Sequence, residues 1–90
     1  MNGNDSQIKK THVQLYVDNR QETKLGVVEV STIFTGINTN PIGKPILFET
    51  MVFGGELDEQ SDRCATYEAA LKMHELMLEK VHASIKAIKL

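Results

Sequence analysis

The sequence predicts an α+β domain: a three-stranded antiparallel β-meander packed on one long C-terminal α-helix, with the second face of the sheet buried in a homo-oligomer. Three observations predict it. Residues 11–18 alternate strictly, with Val13, Leu15 and Val17 on one side and His12, Gln14 and Tyr16 on the other, which is the period of a half-buried strand. Two further stretches are rich in β-branched and aromatic residues, residues 24–35 and 46–53, and both read as strands. Finally, Tyr67, Ala70, Leu71, His74, Met77, Leu78, Val81, Ile85 and Ile88 recur at steps of three and four, the stripe of an amphipathic helix.

Taken in order, residues 1–10 are polar and carry one large aliphatic side chain, so they read as a flexible N-terminal arm, with residues 11–90 as the single domain. NRQET, residues 19–23, is a polar turn before the second strand, where Gly26 marks a bulge or a close backbone approach. GINTNPIGKP, residues 36–45, holds two Gly, two Pro and two Asn and reads as the main loop. In the third strand Ile46, Phe48, Thr50 and Val52 share one face, and Leu47, Glu49, Met51 and Phe53 share the other. Both faces are apolar, whereas an isolated meander leaves one face to water. Leu47, Met51 and Phe53 therefore read as an oligomer interface. Gly54 and Gly55 end that strand, and residues 56–62 read as an exposed acidic linker. Thr66 is placed to cap the helix, with Glu68 against the positive end of its dipole.

Composition narrows the partners. A chain of 90 residues forms one domain and is marginally able to bury a sufficient core alone, which again points to self-association. Net charge of −2 and a pI near 5.9 supply no basic footprint for a nucleic acid polymer. No stretch has the length and apolarity of a membrane span or a signal peptide, so the expected location is the cytoplasm, that of the host cell if the protein is phage-encoded. Cys64 is the single cysteine and His12, His74 and His82 are scattered. Neither a disulfide, a metal site nor a cofactor is expected.

Several residues carry possible chemistry. Glu29 and Glu49 lie on neighbouring strands, and paired carboxylates can share a proton when buried; the plainer reading is a seam acid held by Arg63 or by backbone amides. His74 interrupts the apolar stripe, so its ring must find a buried hydrogen-bond partner, Glu49 or the Gly54–Gly55 backbone being candidates. Cys64 has acidic neighbours in Asp62 and Glu68, which oppose a reactive thiolate. Lys44 follows a Gly-rich loop but precedes Pro45, so a phosphate nest there lacks the P-loop spacing. Arg63 and Tyr67 pair a guanidinium that forks a phosphate with a ring that stacks on a base.

The blocks EVSTIFTG at residues 29–36 and LFETMVFGG at residues 47–55, followed by Arg63, Thr66, Glu68, Ala70 and His74, resemble a family of small phage and prophage proteins. Its members carry EVSTVFLG, LFETMVFGG and RYxTxEEAxxGH. The likeness covers about half of the chain and departs from the pattern at Asn38 and Thr39, where the family often has a His, at Cys64, which replaces an aromatic, and at Ala69, which removes the reciprocal half of a capping box. The resemblance and the lack of a catalytic constellation together imply a small non-enzymatic phage protein. It would capture a small anionic ligand, such as a nucleotide immune signal, or a host protein, as a counter-defence factor. Arg63, Tyr67, Glu49 and His74 are the expected ligand-binding residues. The alternative is a purely structural or protein-interaction module, and the two differ in whether Glu49, His74 and Arg63 converge on an accessible cavity or saturate one another.

Overall fold

A computed structural model describes residues 6–18, 23–36, 42–43 and 45–88. Strands β1 (Gln7–Asp18) and β2 (Thr23–Phe34) form a long antiparallel hairpin, β3 (Phe48–Phe53) adds to β2, and β4 (Ser61–Cys64) adds to β3. Helix α1 (Tyr67–Ile88) then crosses one face of the sheet and meets every strand. The domain is α+β, as expected, but the sheet has four strands in the order β1-β2-β3-β4 rather than three.

The fourth strand lies where the sequence reads as the end of a linker. SDRC carries no apolar alternation, and most of it is exposed, so no periodicity announces it. Backbone geometry makes it instead. Gly54 and Gly55 both adopt positive φ, +95° and +72°, and turn the chain back on itself. Asp58 accepts the Gly54 N–H at 2.7 Å, Glu59 donates to the Val52 carbonyl at 2.8 Å, and Val52 donates to Gln60 at 2.9 Å. The acidic run is thus a folded loop, anchored by Leu57 against the core.

Strand β1 begins at Gln7, inside the stretch expected to be a loose arm. Gln7 joins the sheet by polar contacts: its side-chain amide donates to the Lys9 carbonyl at 2.9 Å and to the Thr32 carbonyl at 3.0 Å. The register then slips between Gln7 and Lys9, which leaves Ile8 as an extra residue, a β-bulge. Gly26 pairs in register with Leu15, so the bulge falls at the strand's start and not at that glycine. Residues 1–5, residues 19–22 of the expected turn, residues 37–41 and 44 of the expected main loop, with Asn38, Thr39 and Lys44, and residues 89–90 lie outside the described residues.

The core sits between the sheet and α1. Val28, Val30, Val52, Met77 and Val81 form its buried centre, with Val13, Leu57, Leu78 and Ile85 packed around them. Each fully buried aliphatic side chain contributes about 1.5–3 kcal/mol. The helix starts as expected, the Thr66 hydroxyl accepting the Ala69 N–H at 3.1 Å. Cross-strand partners point to the same face of a sheet, so Thr50 and Val52 face the helix while Glu49, Met51 and Phe53 face away from it.

A Cβ placed on Gly54 would lie 2.9 Å from the Val27 carbonyl oxygen, a backbone atom that cannot step aside. Gly54→Ala therefore combines a close contact with a left-handed conformation. It should lower stability by about 1–3 kcal/mol, read from the midpoint of chemical denaturation; an unchanged midpoint would contradict this account of the turn.

Candidate functional site

His74 is the largest fully buried side chain among the described residues. The helical stripe carries it onto the sheet, and the sheet receives it with hydroxyls. Its Nε2 lies 2.8 Å from Thr11 Oγ1 on β1, and its Nδ1 lies 2.7 Å from Thr32 Oγ1 on β2. Thr32 Oγ1 is in turn hydrogen-bonded to Thr50 Oγ1 on β3. One ring nitrogen donates and the other accepts, and each hydroxyl can rotate to supply the complementary role. No buried side-chain nitrogen or oxygen among the described residues lacks a partner.

Electrostatics keep the ring neutral. Burial lowers the His74 pKa from its ordinary value, the Lys9 ammonium lowers it further, and Glu75 opposes both. Lys9 and Glu75 form an ion pair at 2.9 Å that bridges β1 to α1 at the edge of this network. In that pair the hydrogen bond from Lys9 and its charge draw the Glu75 carboxyl below its usual range.

The partners of His74 differ from those the sequence suggests. Glu49 lies on the opposite face of the sheet, where its register partner Arg63 holds it: Nε and Nη2 of the guanidinium both approach Oε2 at 3.2 Å. Glu29 and Glu49 do not form a carboxylate pair. Glu29 is opposite Phe53 and Glu49 is opposite Ile33, a separation of about 13 Å along the strands at about 3.3 Å per residue. Glu29 instead meets His12 at 3.1 Å and Lys10 at 3.9 Å. Tyr67 stands at the start of α1 with its ring 6.5 Å from Phe48, which itself packs 5.4 Å from Phe34. Of the four expected ligand residues, then, the fold brings together Glu49 and Arg63 alone. His74 and Tyr67 belong to the helix side, because the alternation of β3 sends Phe48 and Thr50 one way and Glu49 the other.

The outward face of the sheet is a different kind of surface. Ser31, Ile33, Glu49, Met51 and Phe53 line a shallow cleft of about 220 Å³. Phe53 is 46% exposed and Val27, near it on the same face, is 52% exposed. Leu47, on the same alternation, is half-buried and hydrogen-bonded through its backbone to Thr35 and Cys64. Charge is interleaved with these apolar side chains: Glu29, between Val27 and Ser31 and opposite Phe53, meets Lys10 and His12, and Glu49, between Leu47 and Met51 and opposite Ile33, is held by Arg63. Cys64 faces the helix, and partial burial pushes its thiol pKa up, with Asp62 adding to the effect against a backbone contact to Thr66. No group of acidic, His or Cys side chains among the described residues is arranged to hold a metal, and no described helix is long and apolar enough to cross a membrane.

What sequence reasoning missed is the hydroxyl set, Thr11, Thr32 and Thr50. A signal was present: Thr32 and Thr50 share the alternation of Val30 and Val52, so each puts a hydroxyl into an apolar face, opposite a helix carrying one imidazole. Comparison with known proteins adds no relative: no family model, no curated protein and no solved structure matches the chain.

Because the folded-state pKa of His74 lies below its unfolded value, the unfolded chain binds more protons as pH falls. The stability that neutral His74 contributes is thus fully present above about 6.5, the unfolded pKa, and is lost as pH falls from there toward the folded pKa. Thermal unfolding from pH 8 to pH 5 should show this loss, and His74→Gln should flatten it; an equal slope in the variant would assign the effect elsewhere. Thr32→Val leaves Nδ1 without its partner and should cost about 1–3 kcal/mol at neutral pH.

Proposed function

We propose that this protein is a non-enzymatic interaction module that works as a homo-oligomer, its outward sheet face being the contact surface between copies. One observation carries the reading: Glu49, Arg63 and His74, three of the four residues expected to form a ligand pocket, are engaged within the chain, while Val27, Ile33, Met51 and Phe53 on the outward face are left partly open to solvent. Glu49 and Arg63 satisfy each other, and His74 is closed in by threonines. The face has a composition suited to self-association, with exposed apolar side chains beside carboxylates that are already paired within the chain. Burying three or four of Leu47, Met51, Phe53 and their neighbours at about 1.5–3 kcal/mol each stabilises such a contact.

The resemblance to small phage and prophage proteins supports a place in the cytoplasm of an infected cell, with a host protein as the further partner and counter-defence as the purpose. Capture of a small anionic ligand, such as a nucleotide signal, is the second reading. Arg63 favours it, since its side chain is half-exposed beside the outward cleft and can exchange Glu49 for a phosphate at a subunit seam.

Phe53→Asp places a charge on the outward face and should dissociate the assembly, measured by native mass spectrometry; a variant that stays assembled and equally stable would move the seam elsewhere. Arg63→Ala separates the two readings. If a small ligand co-purifies with the wild-type protein, its loss from an intact Arg63→Ala assembly supports anion capture. A bare wild-type assembly supports the interaction module.

A further inference from the structure

Strand β1 is one edge of the sheet. Among the described residues it pairs with β2 alone, so one side of this 12-residue strand presents a row of backbone N–H and C=O groups to which another strand can be added. The opposite edge is guarded, because β4 has four residues and two of them, Asp62 and Arg63, are charged. Strand β1 is guarded only at its start, by the bulge at Ile8 and by Lys9 and Lys10. From Thr11 to Val17 it contains no Lys, Arg, Asp, Glu, Gly or Pro, the residues that ordinarily blunt an edge. The same segment is also short of support. Strand β3 covers β2 from Glu29 to Phe34, so from the Val13–Val28 pair to the Asp18–Thr23 pair the hairpin runs on as a two-stranded ribbon. Two strands alone are marginally stable in water, and a third is what such a ribbon lacks. The free side of β2 offers little room for it, since the turn at Gly54 packs against the Val27 carbonyl and leaves residues 23–26.

We infer that β1 pairs antiparallel with β1 of a second copy, joining two four-stranded sheets edge to edge. Copies in such a pair are related by a two-fold axis perpendicular to the sheet. Opposite residues then share a face, which restricts the pairing to registers centred on a residue. Centred on Gln14, it runs from residue 10 to residue 18 of each copy. A basic residue, Lys10, stands opposite an acidic one, Asp18 of the partner subunit, and the symmetry repeats that match at the other end. Between them Val13 stands opposite Leu15 of the partner subunit and Thr11 opposite Val17 of the partner subunit, types that favour cross-strand pairing. Centred one residue earlier, the pairing sets Lys10 opposite Tyr16 of the partner subunit and matches neither charge. Centred one residue later, it leaves Lys10 beyond the end of the strand. A parallel pairing brings each lysine beside its own copy, and like charges there are destabilising. Lys10 is exposed and lies 3.9 Å from Glu29, so it remains available to the edge. The register centred on Gln14 also lays a third strand along residues 14–18, where β3 gives the ribbon none.

This edge is distinct from the outward-face contact, and cross-linking keeps the two apart. In a Cys64→Ser background, with Phe53 either kept or changed to Asp, Gln14→Cys should oxidise to a covalent dimer. Residues facing each other across the axis have Cα atoms about 4.5–5.5 Å apart, within reach of a disulfide. His12→Cys alone should not, because its two copies lie about 13 Å apart along the strands, whereas a mixture of His12→Cys and Tyr16→Cys should. Charge exchange is the second readout. Lys10→Asp should weaken the dimer about tenfold or more, and adding Asp18→Lys should restore it, which loss of the Glu29 contact alone does not allow. A Gln14→Cys protein that stays uncrosslinked, a His12→Cys protein that cross-links as readily, or a double variant no tighter than Lys10→Asp overturns the pairing. The cross-link pattern is the same with Phe53 and with Phe53→Asp if the edge is right, whatever Phe53→Asp does to the native mass.

Discussion

The hydrogen-bonded chain from Thr11 through His74 and Thr32 to Thr50 is the constraint on which the rest of the molecule depends. It ties α1 to three strands through one imidazole. Apolar packing alone fixes how far a helix stands from a sheet but tolerates sliding and rotation. Two short hydrogen bonds from opposite ends of a ring do not, because a shift of about an ångström breaks one of them and leaves a buried polar atom unpaired. The network therefore sets the rotation of α1 about its axis. That rotation decides which flank faces the sheet and which, led by Leu76, faces away.

Fixing the helix on one side determines what the other side of the sheet must do. The His74 imidazole and the hydroxyls of Thr11, Thr32 and Thr50 are used internally and are not offered to a ligand. The outward face interleaves paired charges with partly exposed apolar side chains, with Glu49 and Arg63 holding each other in register across β3 and β4. In the function proposed above, recognition falls to the outward sheet surface rather than to a pocket.

Much of this was legible in the residues, and the exceptions have physical causes. The helix was readable because a long stripe at steps of three and four repeats many times, and Thr66 was readable as its cap because the hydroxyl's partner lies three residues along. The two faces of β3 followed from simple alternation. Strand β4 was hidden because it is short, polar and exposed, and because its position depends on two glycines with positive φ whose effect is conformational rather than compositional. The start of β1 was hidden for a related reason, since Gln7 enters the sheet by bonding carbonyls instead of burying apolar surface. The candidate site was half legible. His74 was identified as a ring in need of a buried partner, but the partner's identity depends on register between strands distant in sequence, and the carboxylate suggested for it, Glu49, points the other way. Arg63 was one of two partners suggested for Glu49, the other being backbone amides, and it is the unforeseen strand β4 that sets Arg63 opposite Glu49.

The most direct measurement of the central claim is the protonation of His74, followed by the ¹⁵N chemical shifts of its ring as pH is lowered from 8 to 5. A ring locked between Thr11 and Thr32 should show one protonated and one unprotonated nitrogen, a single tautomer, and no titration near about 6.5, where a free imidazole gains its proton. Titration at that ordinary value, with the two tautomers exchanging, would contradict the account. It would show a histidine open to solvent and available for chemistry, and the helix would then need another explanation for its orientation.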